Sequence, residues 1–262
     1  MKPHNFKGRS AEILQHLLPL VAFLAVWQSV SIAFPETTFF FSSPTKIVTA
    51  LATITISGEI FIHAGVTIFE TIIGFIVGTT LGASIGLGLW YWPKVSRVVT
   101  PYVIAISSIP IFAVAPIVIV WFGIGIFSKV MVAILATVFV AIMQAKEGAE
   151  KVEERHLRLI AMLGGSRRQA FFKVVAPSAL QWVVNSMRLN VGFAMTGAFI
   201  GEFISSERGL GYFILRSASL YDMSRVLAGC LVLVLIALAL NKLISIFELQ
   251  LFPWRRLATH IG

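Results

Sequence analysis

The run AGVTIFETIIGFIVGTTLGASIGLGL, from Ala64 to Leu89, is apolar apart from a few hydroxyl groups and one charged side chain, that of Glu70. A helix needs about 20 apolar residues to cross roughly 30 Å of hydrocarbon, so this run is long enough to span a membrane. The rest of the chain has the same character, because 57% of its 262 residues are hydrophobic and 13% are charged. Such a composition excludes an ordinary soluble globular domain.

Apolar stretches that meet or approach this length occur six times, and they predict an all-α polytopic membrane protein with six transmembrane helices. The first follows basic residues, as a signal peptide does, but no small-residue cleavage site comes after it, so we expect a retained span. No polar or Pro/Gly/Ser-rich stretch is longer than a loop, which predicts one membrane domain over residues 1–262. The spans are residues 13–33, 64–89, 98–122, 127–143, 179–204 and 226–247.

The distribution of lysine and arginine predicts how these spans are oriented in the membrane. If both termini lie inside, fifteen Lys and Arg residues fall on or near the cytoplasmic side and five fall outside. Positive charge accumulates on the cytoplasmic side of membrane proteins. The pattern therefore predicts cytoplasmic termini and a cytoplasmic loop over residues 146–178. The net charge of +9 is then a topology signal, and we expect no nucleic-acid partner.

The loop over residues 146–178 has a pattern of its own. Apolar residues from Ala149 to Leu163 recur at helical spacing among charged ones, which predicts an amphipathic helix. Two glycines then end this helix, a Ser-x-x-Gln capping box begins a second short one, and a proline is expected to stop it. These features are Gly164-Gly165, Ser166 with Gln169, and Pro177. A third short helix is predicted outside, in SPTKIVTALATITISG, residues 43–58.

A basic amphipathic unit at the inner surface suits two functions. It can rest on the bilayer, where Arg167, Arg168 and Lys173 would meet anionic lipid. It can also dock a cytoplasmic protein. The residue pattern alone leaves both open.

The sequence LGGSRRQAFFKVVAPSAL, residues 163–180, resembles the cytoplasmic EAA loop of ABC-importer permeases, with Gly164 and Ala176-Pro177 at the matching positions. The EAA triplet itself is replaced by Arg158-Leu159-Ile160. Three further stretches resemble permeases of the nitrate, sulfonate, taurine and bicarbonate importers and extend the resemblance along nearly the whole chain. They are PYVIAISSIPIFAVAPIVIVWFGIGIFSKV (101–130), MRLNVGFAMTGAFIGEFISSERGLGYFILRSASLYD (187–222) and ELQLFPWRR (248–256).

This resemblance implies the type I importer (MetI-like) permease fold in a bacterial inner membrane. It implies a cytoplasmic ATPase partner that binds ATP and magnesium, an extracytoplasmic substrate-binding protein, and a permease with no ATPase site or cofactor of its own. The loop would dock on the ATPase and couple its closure to the opening of the substrate pathway. The coupling residues that it assigns are Arg158, Gly164, Gly165, Ser166, Arg167, Arg168, Phe171, Lys173 and Pro177.

One stripe of the second span carries an acid and four glycines, Glu70, Gly74, Gly78, Gly82 and Gly86, at four-residue spacing. Small residues at this spacing let helices pack closely in lipid. Because six spans are few for a transport path, we also predict a homodimer with the path at or near its twofold axis. Glu70 is a candidate pathway residue or bonds a neighbour, because an ionisable group at membrane depth must face protein or water.

The fifth span carries Arg188 near its cytoplasmic third and Glu202 near its outer end. Arg188 is too far in depth to pair with Glu70, so it snorkels to the interface or has a structural or pathway role. Glu202 is expected to cap its helix in water. Pro110 and Pro116 kink the third span, which shapes a cavity or only the packing.

The sequence lacks the motifs that indicate several other classes of protein. The run GIGIFSK lacks the second glycine of a phosphate-binding loop. Cys230 is the single cysteine, Asp222 the single aspartate, and the five histidines are scattered, so neither a metal site nor a membrane enzyme is expected. A self-sufficient secondary transporter is the alternative from another class, although such proteins normally show repeat symmetry.

The sequences of the spans do not identify the substrate. The resemblance favours a small anion such as a sulfonate or nitrate. Related permeases carry thiamine precursors or aromatic compounds, and these are the alternative.

Overall fold

The structure, a computed structural model, describes the backbone of residues 6–251 and the side chains of residues 18–250. Every regular element in that part is helical, which confirms the all-α prediction. The helices are α1 (Phe6–Ala33), α2 (Thr37–Phe41), α3 (Pro44–Ile56), α4 (Glu59–Tyr91), α5 (Pro93–Ser107), α6 (Ile111–Phe122), α7 (Ile126–Glu150), α8 (Glu154–Met162), α9 (Arg167–Ala170), a π-helical turn (Phe171–Val175), α10 (Ala176–Ile204), α11 (Leu210–Ser219) and α12 (Met223–Leu251).

Five of the six predicted spans fall inside single helices, namely α1, α4, α7, α10 and α12. Among the described residues, three helices are long and apolar enough to cross a membrane on their own. A fourth span results if α5 and α6 are counted as one bent element. The three are Glu59–Tyr91, Ile126–Glu150 and Met223–Gln250. The count of six spans and the cytoplasmic termini therefore stay predictions, and the carboxy-terminal ELQLFPWRR lies mostly outside the described residues.

The predicted third span, residues 98–122, is wrong as a single helix. It is divided between α5 and α6, whose axes differ by 97°. Helix α5 ends at Ser107, and Pro110 then begins α6 from an extended conformation with φ −57° and ψ 127°. Proline has no N–H to continue the helical ladder, and the residue before it is driven away from helical geometry. Pro116, in contrast, lies inside α6 without ending it.

The described residues form two compact units. One contains residues up to Ile60 together with Phe213–Leu231. Here the short outer helix predicted after Ser43 is confirmed as α3, with the Ser43 hydroxyl accepting the Lys46 N–H at 3.3 Å. In the same unit Arg225 donates to both carboxylate oxygens of Glu59, at 2.5 and 2.6 Å, a bidentate pair of the stronger kind.

The other unit contains Phe61–Tyr212 and the chain from Val232 on, and helix α7 lies at its centre. The four glycines of the predicted stripe on α4 all face α7. A β-carbon on Gly82 would lie 2.5 Å from the carbonyl oxygen of Val138 and 2.6 Å from the Ala141 β-carbon. The Thr137 hydroxyl lies 3.3 Å from the carbonyl oxygen of Gly74, across the same contact. The glycine stripe is therefore used within the chain.

Helix α10 packs on α7 in the same way. A β-carbon on Gly197 would lie 2.7 Å from the Ala133 Cα, and one on Gly201 would lie 3.1 Å from the Lys129 side chain. Small residues on two helices thus bring both backbones close to α7, the arrangement that favours helix association in lipid.

Replacing Gly82 by leucine tests this packing. We expect Gly82→Leu to lower the stability of the purified protein by about 1–3 kcal/mol, the usual cost of overpacking a close contact. Gly65→Leu is the matched control, because Gly65 lies on the same helix with no atom within 4 Å of its β-carbon position. Thermal unfolding in detergent measures both variants. Equal midpoints for the two would contradict the close α4–α7 contact.

Candidate functional site

Residues 154–175, called the hairpin below, form the predicted helix-turn-helix unit. Helix α7 continues to Glu150, so the predicted loop begins inside it, and α8 covers Glu154–Met162 rather than the predicted 149–163. The glycine turn follows. Gly164, with φ +72°, donates its N–H to the Ala161 carbonyl at 3.0 Å. Gly165 donates to the Ile160 carbonyl at 2.8 Å, and together the two bonds make a Schellman motif.

The second half of the hairpin begins at the predicted capping box. Ser166 accepts the Gln169 N–H at 3.3 Å, and the Gln169 side-chain oxygen accepts the Ser166 N–H at 2.7 Å, which confirms it. The expectation that Pro177 stops this helix is wrong, because α9, the π-helical turn and α10 follow one another without a break. Pro177 cannot donate a helical hydrogen bond, and the widened turn before it accommodates this loss. The Ala176 N–H accordingly reaches back five residues, to the Phe171 carbonyl.

Arg167 ties the hairpin to the end of α4. Its guanidinium donates to the Tyr91 carbonyl at 2.9 Å and lies 5.5 Å from the centre of the Tyr91 ring. Phe171 stacks on Trp90 with ring centres 5.8 Å apart. A cation at the last carbonyls of a helix is favourable, since these groups lack helical partners and carry the negative end of the dipole. Arg168 differs, because its guanidinium lies over the local Phe172 ring at 5.8 Å.

Apolar side chains are exposed at the turn of the hairpin. Met162 is 78% exposed and Leu163 is 76% exposed, with Leu159 and Phe172 also largely accessible. Around them α8 is charged with both signs, and Arg158 pairs with Glu154 on its own helix. Exposed large hydrophobic side chains bordered by charge are typical of an interaction surface.

A buried cluster of charged residues lies where α4, α7 and α10 meet. Glu70 and Glu202 are 0% and 1% exposed, and Lys129 is 4% exposed. The Lys129 ammonium lies 3.8 Å from Oε1 of Glu70 and donates to the Ser206 hydroxyl at 2.7 Å. Glu70 therefore bonds a neighbour. The sequence pattern did not identify Lys129 as its partner.

The expectation that Glu202 caps its helix in water is wrong. Oε1 of Glu202 accepts the Thr67 hydroxyl at 2.7 Å, and Oε2 accepts the Gly211 N–H at 2.7 Å. The Thr67 hydroxyl also accepts the Leu210 N–H at 2.9 Å. The chain after α10 thus folds back over the carboxylate. The sequence signal was Gly-Leu-Gly, since Gly209 has φ +111° and a β-carbon there would collide with the Glu202 carboxylate.

Arg188 has a partner on α12. It donates to Glu248 at 2.9 Å and to the Ser245 hydroxyl at 2.7 Å. Glu248 is buried, while Arg188 is half exposed. The pair gives Arg188 a structural role between two helices, and the sequence separation of the two residues concealed it.

Removing Lys129 tests the buried cluster. We expect Lys129→Met to destabilise the protein by about 1–3 kcal/mol, because the buried Glu70 carboxyl group then loses the ammonium group beside it. Adding Glu70→Gln should recover part of that loss, since a neutral amide does not need a cation. Unfolding midpoints of the single and double variants measure the coupling. Lys46→Met, at an exposed lysine, is the control, and a Lys129→Met midpoint equal to that control would refute the cluster's structural role.

Comparison with known proteins gives the family to which this chain is similar. The family of binding-protein-dependent transport system inner membrane components matches residues 78–256. The formylaminopyrimidine transport permease ThiX of Halalkalibacterium halodurans is 30% identical over 95% of this chain and 98% of its own. The taurine transport system permease TauC of Escherichia coli is 25% identical over 94% and 91%. The riboflavin transport system permease RibX of Chloroflexus aurantiacus is 28% identical over 90% and 88%.

Solved structures show the same fold. A chain of the MetNI methionine ABC transporter, 19% identical, matches with a TM-score of 0.60 over 71% of this chain and 91% of its own. A chain of an amino acid ABC transporter, 16% identical, matches with a TM-score of 0.57 over 76% and 97%. Because the family match spans more than half of the sequence and includes α7, the hairpin and α10, the chain belongs to the permeases of binding-protein-dependent ABC importers, multi-pass proteins of the bacterial inner membrane.

Proposed function

We propose that this chain forms the substrate pathway of an ABC importer and that its hairpin couples the pathway to a separate cytoplasmic ATPase. The observation that carries the coupling role is the exposed apolar turn at Met162 and Leu163 on a hairpin fixed to the membrane helices. ATP and magnesium are bound by the ATPase, and an extracytoplasmic binding protein delivers the substrate. Two copies of the chain complete the pathway.

Charge on the hairpin favours a protein partner over a lipid surface. Helix α8 carries acidic as well as basic residues, and two ion pairs, Arg155 with Glu153 and Arg158 with Glu154, neutralise much of its positive charge. Binding to anionic lipid requires a cluster of unpaired Lys and Arg. Of the three basic residues that the lipid interpretation needs, Arg167 is bonded to Tyr91 and Arg168 lies over the Phe172 ring.

The hairpin is connected to the membrane helices in two ways. Its second half continues without a break into α10, and Arg167 and Phe171 hold the end of α4. Helix α4 in turn lies against α7 along the glycine stripe. A displacement of the hairpin by the ATPase therefore acts on two helices that pack on α7. A switch of this kind requires an element that both sites can bias, and we propose the hairpin as that element.

Changing the apolar turn tests the docking. We expect the double variant Met162→Glu/Leu163→Glu to lose the ATPase on gentle detergent purification, because two charges would have to be buried in the contact. Leu163→Met keeps size and polarity and is the control. Mass spectrometry of the purified complex gives the ratio of ATPase to permease and the number of permease copies. An unchanged ratio in the charged variant would disprove docking at this turn.

The Arg167 contact is tested by its effect on coupling. We expect Arg167→Gln to keep the ATPase bound while uptake per ATP hydrolysed falls, because the hairpin loses a charged hydrogen bond of about 1.5–3 kcal/mol to α4. Arg168→Gln removes the same charge one residue away and serves as the control. The ratio of uptake to hydrolysis in proteoliposomes measures both. If the two variants behave alike, the Tyr91 contact has no part in coupling.

The substrate class differs among the relatives, whose names specify formylaminopyrimidine, taurine and riboflavin. The small anion expected from the resemblance and the heterocyclic alternative are therefore both represented. The choice between them depends on the chemistry of the pathway itself.

A further inference from the structure

A cavity of about 420 Å³ opens where α5 and α6 meet. Its other walls come from residues 135–140, in the middle of α7, and from Phe193 and Thr196, past the middle of α10. The cavity therefore lies well inside the length of two helices that run through the membrane region. Substrate sites of transporters lie at this depth, next to interrupted helices.

The backbone at this break is not suited to lipid. Ser107, Ser108 and Pro110 are exposed at the turn between the two helices. Irregular backbone at membrane depth is tolerated only where it contacts protein or lines a water-filled cavity. The N–H groups of Ser108 and Ile109 donate to carbonyls of α5, so the groups without helical partners are the last carbonyls of α5 and the first N–H groups of α6. The local backbone therefore offers both acceptors and donors.

Aliphatic side chains make up most of the cavity wall, and aromatic and hydroxylated side chains supply the rest. Trp121, Phe139 and Phe193 supply flat apolar surface, and Ser107, Ser108 and Thr196 supply hydroxyl groups. None of the described residues that line the cavity is charged. An anion would lose its hydration there without a cation to compensate, which is costly. The volume is in the range of sites that hold small organic molecules.

We propose that this cavity is the pathway site for an uncharged, flat aromatic heterocycle that carries amino or amide groups, of the size of an aminopyrimidine. Ring faces pack against the aromatic walls. The amino or amide N–H groups donate to the hydroxyl oxygens, whose own hydrogens bond carbonyls of their own helices, and to the broken backbone. The inference rests on the proposed transport function. It selects the heterocyclic alternative over a sulfonate or nitrate.

The first test measures access and ligand class without transport. Cys230→Ser provides a background without native cysteine, into which Ser108→Cys or Thr196→Cys is introduced. A water-soluble maleimide should label both cavity cysteines faster than Val234→Cys, which lies on an exposed apolar face of α12. A formylaminopyrimidine at about ten times its Kd should slow labelling roughly tenfold, because occupied sites are protected, and an alkanesulfonate, which is an anion, should not. Slowing by the alkanesulfonate alone would overturn the proposed class, and equal labelling rates at all three positions would overturn the site.

The second test fills the cavity. Thr196→Trp should reduce ATP-dependent uptake of the formylaminopyrimidine by roughly tenfold or more, because the indole occupies the ligand volume, while the purified variant still holds its ATPase. Val234→Trp adds the same bulk on α12 and should leave uptake unchanged. The isosteric Thr196→Val removes one hydroxyl and should raise the half-saturating concentration.

These results separate the two proposals. Normal uptake by an assembled Thr196→Trp complex would overturn the cavity site and leave the importer function standing. A wild-type chain that binds no ATPase, or that transports without ATP, would overturn the proposed function instead.

Discussion

Helices α4 and α10 approach α7 so closely that a β-carbon at Gly82 or Gly197 would collide with α7 backbone or side-chain atoms. Apolar attraction between helices is weak in lipid, so close van der Waals contact is the main force available. The rest of the larger unit depends on it. The same approach brings Glu70 and Glu202 to Lys129 at one level of α7, and places the cavity walls at another.

Burying charge at that contact is costly unless each charge is paired. Lys129 lies beside Glu70, and Glu202 accepts hydrogen bonds from Thr67 and Gly211. Buried pairs of this kind contribute little net stability against a well-packed apolar core, but breaking one is expensive. What such pairs contribute is specificity, because they determine which side chains come into contact. The cluster fixes the turn over residues 205–211 to α4 and α7, and so defines one end of the bundle.

Local signals in the sequence were sufficient for local structure. The glycine turn after α8, the Ser166–Gln169 capping box and the Ser43 cap of α3 are each determined by neighbouring residues, and all were predictable. Partners distant in sequence were not, which is why Lys129 and Glu248 were missed as counterions. The kink at Pro110 was predicted, but the full division of the third span into two helices and the continuity through Pro177 were missed for a related reason. A proline indicates a missing hydrogen bond, but the surrounding packing decides whether the helix ends, bends or widens.

The glycine stripe also shows that a local pattern does not identify its partner. Its spacing correctly indicated a close helix contact, but spacing carries no information on whether the contacting helix belongs to the same chain. The stripe is occupied by α7, so it gives no support to a second copy. Pairing of two chains is then to be sought at other surfaces.

The helical segment from Arg167 to Ile204 has no break, and this has a mechanical consequence. At about 1.5 Å per residue, this segment is a rod of roughly 57 Å that joins the hairpin to Glu202. A rod transmits rotation as well as tilt. Its phase, the angle about the helix axis between side chains at its two ends, depends on how many residues each turn contains. The π-helical turn at Phe171–Val175 adds one residue to a turn, which shifts that phase by about 100°. The direction in which the hairpin faces, relative to the membrane part of α10, is therefore determined by a single extra residue.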